Sequence, residues 1–353
     1  GAEVIQGAGE LADKVAVTAV DHAHAHACLL GAESCHGVLF NGLVDMLAGH
    51  LNGLEGLAAL CLCVYQLPGG VILGGGVGGV TGAGELSVVV RFTCERTALQ
   101  AGYVVYALSV SGLQGGHSGD NINDGLGNSN RILARLLISA ERTMGLRVAT
   151  FDGGNLRNAI PREAWATVAL PADQYNSFTT LFNKFSADVS AEYAITDSGL
   201  EMTLQECASS PVIDTDTTHR LLAAIVGVPN GVQAMSASLQ GLVETSTNLA
   251  SVKMIDNEIV VTTSQRSSVD SAKEAVAVAV ESVFELAGAS VSHSDGYPGW
   301  TPNTDSRVLQ ITAEAYRRLF ATEPIVRAIH AGLECGLFLE KYPGLDMVSF
   351  GPT

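Results

Sequence analysis

The sequence predicts a two-domain α/β protein, and three observations carry that prediction. Runs rich in β-branched and aromatic residues, Leu86–Phe92, Tyr103–Val110 and Glu258–Gln265, read as strands. Apolar residues recur at helical spacing between them. A chain of 353 residues is long enough for two domains and a large buried core.

The elements follow in order. Up to about Gly84 the chain is dominated by Gly, Ala, Leu and Val, and Lys14 is the only lysine or arginine before Arg91. Asn128 to Arg142 carries Ile132, Leu133, Leu136 and Leu137 at helical spacing. Ser271 to Ala287 places Val276, Val280, Val283, Phe284 and Ala287 on one face, with Asp270 as its N-cap and Gly288 as its stop. An aromatic loop, Tyr297-Pro-Gly-Trp300, precedes a helix of about Ser306 to Phe320. The sequence ends at Ser349-Phe-Gly-Pro-Thr353, and a close on a Gly-Pro turn predicts that the full protein continues.

Charge and composition narrow the function classes. A formal charge of -17 repels phosphate backbones and argues against nucleic acid as a partner. No apolar run reaches the ~18–20 residues of a membrane span without glycine breaks, and no basic segment opens an export signal. Seven cysteines, an odd number, with only Cys61 and Cys63 close together, fit free thiols in a reduced compartment. Together these predict a cytoplasmic enzyme.

Residues 112–131 are too specific for scaffolding. Gly115, Gly116 and Gly119 let the backbone bend sharply around His117, whose imidazole exchanges a proton near neutral pH. In Leu156-Arg-Asn-Ala-Ile-Pro-Arg-Glu163, Arg157 and Asn158 have the donors to bind a carboxylate or carbonyl oxygen. Arg266 closes an otherwise uncharged strand and needs an anion, either a substrate carboxylate or Asp270. His330 and Glu334 stand among small apolar residues, where a buried carboxylate requires pairing or a cation. His22, His24 and His26 share a strand face, and His22 with His26 a helix face, a spacing compatible with zinc or copper but lacking the mixed spacings of a built site.

Several of these motifs occur together in a known order. Gly112-Leu-Gln-Gly-Gly-His-Ser-Gly119, Gly125-Leu-Gly-Asn-Ser-Asn130, Leu156-Arg-Asn-Ala-Ile-Pro-Arg-Glu-Ala164, Val243-Glu-Thr-Ser-Thr-Asn-Leu249, Arg266-Ser-Ser-Val-Asp-Ser271, Tyr297-Pro-Gly-Trp300, Ile329-His-Ala-Gly-Leu-Glu-Cys-Gly-Leu-Phe338 and Asp346-Met-Val-Ser-Phe-Gly-Pro-Thr353 strongly resemble the bacterial aminoacylhistidine dipeptidases, zinc dipeptidases related to carnosinase and glutamate carboxypeptidase. The likeness covers roughly residues 70–353.

The resemblance implies a metallopeptidase with a mainly parallel-sheet catalytic domain, 1–78 and 289–353, and an inserted α+β lid and dimerisation domain, 79–288. It implies two zinc ions bridged by a carboxylate and a water, hydrolysis of dipeptides of Xaa-His or broader type, and a homodimer formed through the lid. His117 would reach a neighbouring subunit's active site and stabilise the oxyanion. Asn158 and Arg266 would bind the substrate's backbone and terminal carboxylate, with His330 and Glu334 lining the pocket.

The metal ligands depart from the family pattern. Leu43-Val-Asp-Met46 offers leucine where the family has the histidine of His-x-Asp, or else a degraded Glu-Glu segment. Asp21 echoes the bridging aspartate, Cys61-Leu-Cys-Val-Tyr-Gln66 replaces Asn-Thr-Asp, and the last family histidine would lie beyond Thr353. No zinc ligand is assignable. Two accounts fit: a dipeptidase whose given sequence is inaccurate upstream of the lid and ends early, or a catalytically inactive homologue that binds peptides or partners as a dimer.

Overall fold

The computed structural model describes residues 26–28, 59–61 and 77–79, and 82–351 except 295, 301, 302, 304, 328, 329, 331–334 and 343. Two compact units emerge: Glu85–Gly296, and Gly1–Gly84 together with Tyr297–Thr353.

The Glu85–Gly296 unit is built on a nine-stranded sheet. Its strands are β1 (Gly84–Thr93), β2 (Tyr103–Ser111), β4 (Arg147–Gly153), β6 (Ala164–Pro171), β7 (Glu201–Glu206), β8 (Gly231–Met235), β9 (Val243–Ile255), β10 (Glu258–Ser267) and β11 (Ser290–His293). Two short strands outside it, β3 (Gly116–His117) and β5 (Ala159–Ile160), pair with each other. The sheet order is β7-β2-β6-β4-β9-β10-β1-β11, with β8 on β9. The three strands expected from sequence fall within β1, β2 and β10. Strand β11 pairs antiparallel with β1, Val291 facing Val90, so this unit runs to Gly296, whereas the sequence reading ends the insert at 288.

Four helices cover this sheet's core: α1 (Ser129–Met144), α2 (Tyr175–Glu192), α3 (Thr215–Gly227) and α4 (Asp270–Leu286). Helix α1 forms where expected because Asn128 caps it, its side chain accepting from the Arg131 amide, and because Ile132, Leu133, Leu136 and Leu137 all enter the core. Helix α4 corrects one expectation. Val269, not Asp270, occupies the N-cap; Asp270 is the first helical residue and its carboxylate accepts from Lys273 Nζ at 2.8 Å. The acid thus serves the helix N-terminus from inside the first turn.

The other unit holds a five-stranded sheet ordered 26–28, 59–61, 349–351, 77–79, 325–327. Its pairings are parallel except that between 349–351 and 77–79, so the sheet is mainly parallel. Two helices belong to it, α5 (Arg307–Phe320), capped by Ser306, and α6 (Cys335–Lys341). The aromatic loop is a packing feature here: Trp300 is buried with Cys335, Leu345 and Met347. A Cβ at Gly84 would stand 2.4 Å from the Gly299 amide, and one at Gly336 2.4 Å from the Pro298 carbonyl oxygen, so the loop's backbone is gripped where a side chain would not fit.

Candidate functional site

The loop carrying His117 is held at both ends by one buried carboxylate. Asp197, 3% exposed, accepts from the Gln114 amide at 2.7 Å and the Gly127 amide at 2.8 Å. Gly115 takes a left-handed φ of 64°, which turns the chain out of β2 toward His117. Asn121 then accepts from the His117 amide at 3.0 Å and its own amide donates back to the His117 carbonyl at 3.0 Å, closing a tight turn.

That turn fixes the imidazole. Nδ1 accepts from the backbone amides of Gly119 and Asp120, each at 3.2 Å, which leaves Nδ1 as an acceptor and assigns the proton to Nε2. Burial, and then the Arg266 guanidinium, hold the His117 pKa below the usual imidazole value; Asp120 and Glu85 oppose the shift. Asp120 also stands 3.5 Å from Nδ1, an ion pair only if the ring is charged. The two amide donors and the lowered pKa favour the neutral ring, a donor through Nε2–H.

Pairing of β3 with β5 sets His117 opposite Ala159, and the Ser118 amide donates to the Asn158 carbonyl at 2.9 Å. The His117 turn and the Arg157-Asn158 turn therefore lie side by side, with both Arg157 and Asn158 exposed. Asn248 Nδ2 donates to the Ala159 carbonyl at 2.8 Å and ties this corner to β9.

Arg266 is 3% exposed, and the anion paired with it within the protein is Glu85. Its Nη2 lies 2.7 Å from Glu85 Oε2, while Asp270 is engaged with Lys273. Glu85 is 7% exposed; its Oε1 accepts from Ser264 Oγ at 3.3 Å and stands 3.7 Å from Arg157 Nε. The protein's own carboxylate thus links Arg266 and Arg157 within the electrostatic reach of His117. Glu85, Asn121 and Asp197 escape the sequence reading. One signal for Glu85 was present: it is a carboxylate at the start of a largely apolar strand, Leu86–Val90.

Of the other expected site residues, His330 is 5% exposed and belongs to the second unit. Glu334, Leu43–Met46, Asp21, His22 and His24 lie outside the described residues, as do residues 62–66. Among the described residues no group of three or more His, Cys, Asp or Glu side chains is arranged to hold a metal ion. The described residues therefore do not supply the zinc set that the resemblance implies. No helix among them is long and apolar enough to cross a membrane.

Residues 102–197, which include the His117 loop, match the peptidase dimerisation domain. The chain is 41% identical over 275 residues to the cytosol non-specific dipeptidase of Escherichia coli (strain K12), covering 77% of this chain and 56% of that protein. The crystal structure of aminoacylhistidine dipeptidase from Vibrio alginolyticus superposes with a TM-score of 0.78 at 38% identity, over 85% of this chain and 60% of that one. The chain therefore spans less than two thirds of the length of either relative. Fold and inserted unit define a two-domain α/β protein of the metallopeptidase type. Within that class, the chain belongs to the aminoacylhistidine dipeptidase family.

Proposed function

We propose that this protein is a zinc-dependent dipeptidase of Xaa-His or broad specificity, acting in the cytoplasm as a homodimer formed through the Glu85–Gly296 unit. The observation that carries the reading is the convergence of His117, Asn158 and Arg266 on one corner of that unit, in a chain similar to two dipeptidases. In this reading His117 donates a hydrogen bond from Nε2–H to the oxyanion that develops on the scissile carbonyl. A neutral imidazole donor suits that task because it adds a hydrogen bond without placing a full positive charge beside Arg266.

Asn158 binds the substrate backbone, and the guanidinium charge of Arg266 meets the terminal carboxylate. His330 and Glu334 are the further substrate-binding candidates that the resemblance implies. Two zinc ions are the cofactor that the resemblance implies, with no ligand to them assigned.

The test is zinc content together with Ala-His hydrolysis by the purified protein. Chelator-sensitive turnover is the expected result. Zinc-free protein that binds Ala-His without turnover would instead favour the inactive peptide-binding homologue.

A further inference from the structure

Glu85 stands between two guanidinium groups of opposite accessibility. Arg266, 3% exposed, is ion-paired with one carboxylate oxygen at 2.7 Å. Arg157, 62% exposed, is 3.7 Å from the other, beyond hydrogen-bond range. One carboxylate balances one of the two cations. The surplus positive charge sits on the guanidinium that is held more loosely and open to solvent, where an ion pair contributes little.

Chain position makes this surplus useful. Arg157 directly precedes Asn158, whose carbonyl is bonded to the His117 turn, so guanidinium, amide and imidazole project from one corner. A planar fork of N–H donors matches a carboxylate in two parallel hydrogen bonds, which a single ammonium does not reproduce. Arg266 is spatially fixed by burial and by Glu85, and it supplies charge without needing to move.

We propose that Arg157 is a further specificity-determining residue: its guanidinium leaves its loose contact with Glu85 and closes on the terminal carboxylate of the dipeptide. The inference rests on the dipeptidase reading, and it divides labour between the two arginines. Glu85 and Arg266 form the fixed anchor, and Arg157 is the moving clamp that distinguishes a free carboxylate from a blocked one.

The experiment compares Ala-His with its C-terminal amide on wild type, Arg157→Met and Arg157→Lys, with thermal melting to establish that each variant is folded. Arg157→Met should raise KM for Ala-His by about ten- to a hundredfold, the worth of a charge-assisted hydrogen bond. Its KM for the amide should stay within about twofold of wild type, because that ligand lacks the charge. Arg157→Lys should recover part of the loss. An unchanged KM for Ala-His, or equal changes for acid and amide, would overturn the role of Arg157 while leaving the dipeptidase reading standing. Wild type that neither binds nor cleaves Ala-His would overturn both.

Discussion

Strand β10 is built from two kinds of material. Its first half, with Ile259 and Val261 at 0% exposure, packs into the hydrophobic core. Its second half is just as buried yet polar: Thr263, Ser264, Gln265, Arg266 and Ser267 are all 3% exposed or less. Gln265 Nε2 donates to Thr247 Oγ1 at 3.1 Å and Thr263 Oγ1 at 2.7 Å, Ser267 and Thr245 hydroxyls meet at 2.9 Å, and Arg266 is paired with Glu85. The apolar half asks only for volume and hydrophobicity. The polar half depends on these pairings, since a buried unpaired polar group costs more than a lost contact, and Gln265 Oε1 and Arg266 Nε already lack a hydrogen-bond partner among the described residues.

Substitutions that treat the two halves differently test this contrast. The largest effect belongs to the polar half: Glu85→Ala strands the buried Arg266 and should destabilise the fold by about 3–5 kcal/mol in chemical denaturation. A loss below about 1 kcal/mol, the value of an exposed pair, would mean that Arg266 finds other partners or solvent.

Next comes the loop served by that half. His117→Ala removes a side chain that is 29% exposed, so stability should change little while kcat falls by about 10²–10³, the measure of a lost oxyanion donor. A fall in stability with normal kcat per folded molecule would reverse the assignment. In the apolar half, Ile259→Val should cost about 0.5–1.5 kcal/mol and leave kcat/KM per folded molecule unchanged.

The smallest effect is in pH dependence. The folded-state pKa of His117 is lowered, so above the unfolded value of about 6.5 the ring is neutral in both states and contributes nothing to the slope. As pH falls below that value the unfolded chain takes up a proton that the folded chain refuses. Stability therefore declines down to the folded pKa and levels off beneath it. Denaturation curves of wild type and His117→Ala between pH 5 and 7 check the sign: the decline specific to wild type should disappear in the variant.

What was legible in the sequence follows the same division. Strands β1, β2 and β10 and helices α1 and α5 were readable because local side-chain chemistry decides them: β-branched runs, an Asn or Ser cap, an apolar face. The His117 loop was readable because its glycines and its Asn and Asp residues carry local turn chemistry. The partner of Arg266 was not. Asp270 was near in sequence, but the first turn of α4 turns it to Lys273, and the true partner, Glu85, arrives on β1, the strand beside β10 in the sheet. Asp197 was hidden for the same reason, since it reaches Gln114 and Gly127 only after α2 has folded back.

The account rests on a neutral His117 ring held in the field of Arg266 and Glu85. The direct measurement is an NMR titration of the His117 imidazole in wild type and in Glu85→Gln. The predicted wild-type midpoint lies below about 6.5 and moves lower still in the variant, where an anion that favours the protonated ring has been removed. A midpoint at or above about 6.5 that does not respond to Glu85→Gln would contradict it.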